Sequence, residues 1–125
     1  MARKYLIVDD SMVARMLLAN VLKSLDTIIT EAGDGETALQ ILESSSTFDA
    51  VFLDITMPGI SGLDVLRQIK QQTPNQPVII VTADIQKQTI ANALAAGAFA
   101  VIAKKIDPNL VQTVLSRLFG EAVTT

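Results

Sequence analysis

Three carboxylates and one ammonium, each set directly after a short aliphatic run, are the side chains of this sequence best able to do chemistry together. Asp9 and Asp10 follow Tyr5-Leu6-Ile7-Val8, Asp54 follows Ala50-Val51-Phe52-Leu53, and Lys104 follows Val101-Ile102-Ala103. If those runs are parallel strands, their C-terminal ends lie along one edge of a sheet and the four charges converge there. Two carboxylates about 4 Å apart repel by roughly 4 kcal/mol at an effective dielectric of about 20, so three together need a cation or a proton. The expected chemistry is that of a metal-dependent acidic pocket with an ammonium beside it.

The remaining pattern supplies the elements that must hold these groups. Aliphatic runs at Tyr5 to Val8, Thr27 to Thr30, Ala50 to Leu53, Val78 to Val81 and Ala100 to Ala103 predict five strands, and helical periodicity fills each gap. Met12, Met16, Val21 and Leu25 predict one face of the first helix, and Ala38, Leu39 and Leu42 one face of the second. Leu63, Leu66 and Ile69 mark the third, Ile90, Ala93 and Leu94 the fourth, and Leu110, Val111, Val114, Leu115 and Leu118 the fifth. Ser61 with Asp64 resembles a capping box, Asp107-Pro108 supplies an N-cap and a first-turn proline, and Gly97 a left-handed helix stop. Alternating strands and helices predict a doubly wound α/β fold, a five-stranded parallel sheet covered on both faces and joined by right-handed crossovers. Glu121 to Thr125 are expected to form a frayed tail.

Composition narrows the function. The 125 residues make one domain of ordinary size, expected to span residues 1–125, with no room for a second. Half are hydrophobic, yet there are only four phenylalanines, one tyrosine and no tryptophan, so the core must be aliphatic and alanine-rich. Cysteine and histidine are both absent, which removes thiolate and imidazole chemistry and leaves carboxylates, hydroxyls and lysines. A net charge of −3 without a cluster of Lys and Arg argues against direct nucleic-acid binding. The longest apolar stretch, Ala93 to Ala103, is too short to span a bilayer, and Asp9 and Asp10 interrupt the first apolar run short of a signal peptide. A soluble cytoplasmic protein without membrane insertion is expected.

Singly, these residues have plainer roles. An Asp before a helix ordinarily caps it, Thr82 at the end of the fourth strand is ordinarily a β-former, and Lys104 a surface lysine. Asp54 resists such a role, because Met57-Pro58-Gly59 follows it and there is no helix start for it to cap. Unrelated polar residues at four strand ends along the ligand-binding edge would be a coincidence, so the joint reading is preferred.

In this order the motifs resemble the response-regulator receiver domains of two-component signalling, whose single-domain form is the chemotaxis response regulator. The landmarks are Val8-Asp9-Asp10-Ser11, Asp34-Gly35 with Ala38-Leu39, Asp54-Ile55-Thr56-Met57-Pro58 with Gly62-Leu63, Val81-Thr82-Ala83, Gly97-Ala98, and Lys104. The resemblance covers nearly the whole chain and implies a flavodoxin-like (βα)5 fold with strand order 2-1-3-4-5. It implies that Asp54 accepts a phosphoryl group from a phosphohistidine, the donor being a sensor histidine kinase or a phosphotransfer protein. By the same resemblance Asp10, Asp54 and the Thr56 carbonyl are Mg²⁺ ligands, with Asp9 acting through metal-bound water. Lys104 would pair with a phosphoryl oxygen and Thr82 would turn inward to bond another. Thr56 and Asp84 hold family positions that tune water access to the acyl phosphate, or are simply exposed loop residues. The output would be a conformational change read by a downstream protein effector whose identity is not encoded, and the protein would be a switch rather than an enzyme.

Two departures bear on that output. The family usually has an aromatic residue where this chain has Val101, with Phe99 two residues earlier, and proline where this chain has Lys105. A cis bond before a non-proline residue costs about 3 kcal/mol, so a trans Lys104-Lys105 bond is expected, with Lys105 facing solvent. Among competing functions, a dehalogenase-type hydrolase needs a second acid where Thr56 stands. A flavin carrier needs a hydroxyl-rich first loop where Asp9-Asp10 stand, and a pseudo-receiver would not need the intact acidic set.

Overall fold

The computed structural model describes residues 3–23, 26–44 and 47–120. Strands and helices alternate strictly: β1 (Arg3–Val8), α1 (Met12–Lys23), β2 (Thr27–Ala32), α2 (Gly35–Ser44), β3 (Ala50–Leu53), α3 (Gly62–Gln72), β4 (Val78–Thr82), α4 (Lys87–Ala95), β5 (Ala100–Ala103) and α5 (Pro108–Phe119). All neighbouring strands are parallel, in the order β2-β1-β3-β4-β5. The five expected strands are present, three of them longer than the aliphatic run alone suggested. The expected tail at Glu121 to Thr125, and Leu25 on the first helix, lie outside the described residues.

Because side chains alternate across a strand, each strand feeds two cores. Leu6, Val8, Val51, Leu53, Val78 and Ile80 point to the face covered by α2, α3 and α4, meeting Ala38, Val65, Leu66, Ile69 and Ala93. Tyr5, Ile7, Ala50, Phe52, Ile79, Val81 and Ile102 point to the opposite face, against Leu18, Ala19 and Leu22 of α1 and Val111, Val114 and Leu115 of α5. Burial on both faces is why these strands read as unbroken aliphatic runs. Among the described residues no helix is long and apolar enough to cross a membrane.

Among the described residues the inner face of α1 matches the expected one only at Val21, which packs, partly buried, against the core of Leu18, Ala19 and Leu22. Met12 and Met16 are exposed, at 71% and 53%, whereas Leu18, Ala19 and Leu22 are buried. Met12 and Met16 are spaced i, i+4 just as Leu18 and Leu22 are, so a period of 3.6 fits either pair, and packing against the sheet selects the second together with Ala19, about a quarter turn around the helix. A smaller error of the same kind leaves Leu94 and Leu110 exposed while Ala93 and Val111 face the core. The capping expectations hold in part. Ser61 accepts from the Asp64 amide and Asp107 from the Asn109 amide, whereas the Asp64 carboxylate pairs with Arg67 instead of closing the box. Gly97 follows α4 at φ +107, a backbone conformation that L side chains rarely adopt.

Candidate functional site

Strand pairing continues one residue past each strand into the charged groups. The Asp54 amide donates to the Val8 carbonyl at 3.0 Å, the Asp9 amide to Ala32 at 3.1 Å, and the Lys104 amide to Thr82 at 2.8 Å. The backbones of these residues are thus fixed by the sheet before any side-chain contact is made. Lys104 then closes the corner, its Nζ lying 3.0 Å from Asp54 Oδ2 and 3.1 Å from Asp9 Oδ2. Asp9 Oδ1 also accepts from the Ser11 amide at 2.9 Å, and Asp54 Oδ1 from the Thr56 amide at 3.2 Å. Carboxylate oxygens of Asp9, Asp10 and Asp54 lie within 4.8 Å of one another. Asp9 and Asp54 are buried while Asp10 is exposed, so the cluster opens to solvent on the Asp10 side.

One ammonium shared between two buried carboxylates leaves the corner short of positive charge. Burial pushes the Asp54 carboxyl above its ordinary value; the hydrogen bond and charge of Lys104 and the Thr56 amide pull it down without cancelling that, and Asp9 pushes it further up. For Lys104 burial is the largest single influence and acts downward, yet its hydrogen bonds and charge contacts with Asp54 and Asp9 together raise it above its ordinary value. Three hard oxygen donors in an electron-rich corner fit a small divalent cation of the magnesium or calcium type.

The segment after Asp54 is shaped by one glycine. The Gly62 amide donates to the Ile55 carbonyl at 2.9 Å, and a Cβ at position 62 would overlap the Asp54 carbonyl oxygen. Only glycine lets the start of α3 approach the backbone of Asp54 this closely. On the other flank the Thr82 hydroxyl is fully buried and accepts from the Asp84 amide at 3.1 Å. Asp84 does not turn its carboxylate toward the acidic corner: Oδ1 accepts from the Gln86 amide at 3.1 Å and Oδ2 from the Thr89 hydroxyl at 2.7 Å. The physical reason lies in α4, whose N-cap Gln86 offers no side-chain bond, so its free amide end takes Asp84 as acceptor. Thr56 does stand beside the corner, exposed, with its amide on Asp54.

Other groups at the corner were not anticipated. Ser11 caps α1, its hydroxyl accepting from the Ala14 amide at 3.1 Å, which leaves Asp10 free of that duty. A serine directly before the first helical residue is a readable signal for it. Arg15 of α1 donates from Nη1 to the Asp9 carbonyl at 2.6 Å and from Nε to Glu31 of β2 at 2.9 Å. That arrangement depends on how α1 lies against β2 and leaves no local signature. In the region where the motifs depart from the family, Val101 packs against the α2–α4 core, and β5 begins after Phe99, so Phe99 is not on the strand. No peptide bond among the described residues is cis; Lys104-Lys105 is trans and Lys105 is exposed, both as expected.

The model of the response regulator receiver domain matches residues 5–116. The chain belongs to the response regulator receiver domain family. This receiver domain is 34% identical over 119 residues to the chemotaxis protein CheY of Pseudomonas aeruginosa, covering 93% of the chain and 95% of that protein. It is 35% identical to CheY-3 of Vibrio cholerae, covering 93% and 91%. Among solved structures, the CheX-CheY-BeF3-Mg²⁺ complex of Borrelia burgdorferi contains a chain that is 32% identical, with a TM-score of 0.87 over 94% of this receiver and 89% of that chain. The flavodoxin-like fold, the strand order and the place in two-component signalling are those the motifs implied.

Proposed function

We propose that this chain, one receiver domain over residues 1–125, is a cytoplasmic phosphorylation-dependent switch with Asp54 as phosphoacceptor. The observation that carries the reading is the Lys104 ammonium, held 3.0 Å from Asp54 and 3.1 Å from Asp9 at the open end of the sheet. A carboxylate oxygen of Asp54 attacks the phosphorus of a phosphohistidine on a sensor histidine kinase or phosphotransfer protein. The new O–P bond forms as the P–N bond breaks, and the departing imidazole takes up a proton. Asp10, Asp54 and the Thr56 carbonyl would hold Mg²⁺, with Asp9 acting through its bound water. When bound, that ion offsets the charge gathered on the phosphoryl oxygens.

Lys104 supplies a fixed positive charge on the other side of the transferred group. Thr82, whose hydroxyl accepts from the Asp84 amide, keeps its own proton available to donate to a phosphoryl oxygen. Turning toward the phosphoryl group releases the Asp84 amide, and the change passes into α4 and so to a downstream protein effector. Transfer and later hydrolysis are self-catalysed, without turnover of a separate substrate.

Incubation with acetyl phosphate and Mg²⁺ followed by mass spectrometry tests the reading. The expected result is the gain of one phosphoryl group, located to Asp54 by peptide mapping and absent from Asp54→Ala. Continuous release of phosphate with no labelled protein would instead indicate a hydrolase.

A further inference from the structure

Arg15 has no part in the reaction just described, yet it is built into the same corner. Its side chain is 17% exposed and reaches two anchors, the Asp9 carbonyl at 2.6 Å and the Glu31 carboxylate at 2.9 Å. The Asp9 carbonyl belongs to the planar peptide unit that joins Asp9 to Asp10, so a grip on that oxygen fixes the rotation of the plane. With the plane goes the direction in which Asp10 leaves the backbone. Asp9 and Asp54 have side-chain hydrogen bonds that orient their carboxylates. Asp10 shows no such bond among the described residues, so its aim depends on its backbone.

We propose that Arg15 is a positioning residue for the cation site, acting through the Asp9–Asp10 peptide, with Glu31 holding its guanidinium in place. The inference rests on the proposed divalent cation and adds a second tier of residues to it. A guanidinium suits the task because its planar fork serves two acceptors in fixed geometry, which a lysine ammonium does not reproduce. Glu31 has a second effect, since pairing with it cancels the arginine charge that would otherwise oppose a cation.

Charge and positioning predict opposite signs, which makes the idea testable. If Arg15 acted on the site only as a nearby positive charge, its removal would tighten cation binding. If it positions Asp10, its removal loosens binding. Calorimetric titration of the intact chain with Mg²⁺ at fixed ionic strength is therefore decisive. Arg15→Ala should raise the dissociation constant about tenfold, the lower end of what loss of a group supporting metal ligands causes. Arg15→Lys should recover little of this. In an Asp10→Ala background, Arg15→Ala should have almost no further effect, a non-additivity that a merely structural role would not produce.

Unchanged or tighter Mg²⁺ binding by a folded Arg15→Ala protein would overturn the proposal, as would full additivity with Asp10→Ala. Should Arg15→Ala fail to fold, Glu31→Ala decides, because that exposed side chain can be removed while Arg15 loses one anchor; an unaltered dissociation constant there would refute the grip. A wild-type chain that binds no Mg²⁺ would instead overturn the reading of the acidic corner itself.

Discussion

The acidic corner and the loop between β4 and α4 share one sheet edge, the loop leaving β4 between the strands that carry Asp54 and Lys104, yet they are held together in different ways. Lys104 meets Asp9 and Asp54 across 95 and 50 residues of sequence, and their backbones are tied into the sheet. In the loop the Thr82–Asp84, Asp84–Gln86 and Asp84–Thr89 bonds span two, two and five residues. Long-range contacts of buried groups open only with much of the fold, whereas short-range bonds at a partly exposed turn open locally. The charged groups of the corner are thus tied by long-range contacts, and the Thr82–Asp84–Thr89 chain by short-range ones.

The largest test removes the charge that the corner can least accommodate. Asp54→Asn should abolish phosphorylation and, in metal-free buffer, stabilise the protein by on the order of 1 kcal/mol, a few degrees in melting temperature. The sign follows from burial holding the Asp54 carboxyl above its ordinary value. Its contribution to stability is fully present below the ordinary carboxylate range and is lost as pH rises through the raised value. The gain in Asp54→Asn should therefore appear above that range and vanish in acid; melting curves showing the reverse would contradict the charge imbalance.

Removing the cation should act in the opposite direction. Lys104→Ala leaves two buried carboxylates facing each other and is expected to destabilise the metal-free protein by about 2 kcal/mol, less than for a fully buried pair because Lys104 is 29% exposed. Its phosphorylation by acetyl phosphate should also slow sharply. Lys105→Ala should change neither by a measurable amount, since that side chain is exposed. Equal losses in chemical denaturation from both substitutions would remove the distinction between corner and surface.

What the sequence revealed follows the same division. The strands were legible as aliphatic runs and the converging Asp9, Asp10, Asp54 and Lys104 as charges that end three of those runs, whereas the strand order came only with the family resemblance. Parallel pairing turns that local pattern into one edge. The buried face of α1 was not legible, because Met12 and Met16 form an apolar stripe as regular as that of Leu18 and Leu22. Nor was the role of Asp84, since the shortage of a capping side chain at Gln86 becomes visible only once the start of α4 is known. The Arg15–Glu31 pair was hidden for a third reason: it joins a helix to an edge strand at a separation no periodicity encodes.

The smallest expected effect lies in the loop and is the most telling about the switch. Asp84 takes two donors at the start of α4, and the Thr89 hydroxyl first and the Gln86 amide second hold its carboxyl below its ordinary value. That contribution is present above the ordinary carboxylate range and is lost as pH falls through the depressed value, so the cap is intact at neutral pH. Asp84→Ala should then fray only the first turn of α4, with amide exchange near Gln86 to Thr89 faster by about tenfold and the sheet unaffected. Beryllofluoride with Mg²⁺ mimics the phosphoryl group and should draw the Thr82 hydroxyl away from the Asp84 amide. In the wild type, resonance shifts should run from Thr82 through Asp84 to Thr89 and stay small around Val101, which has no large ring to reorient. In Asp84→Ala they should stop before Thr89, because the carboxylate that links the loop to the helix is gone. Full-sized shifts at Thr89 in that variant would mean that α4 responds through its packing and not through this chain of bonds.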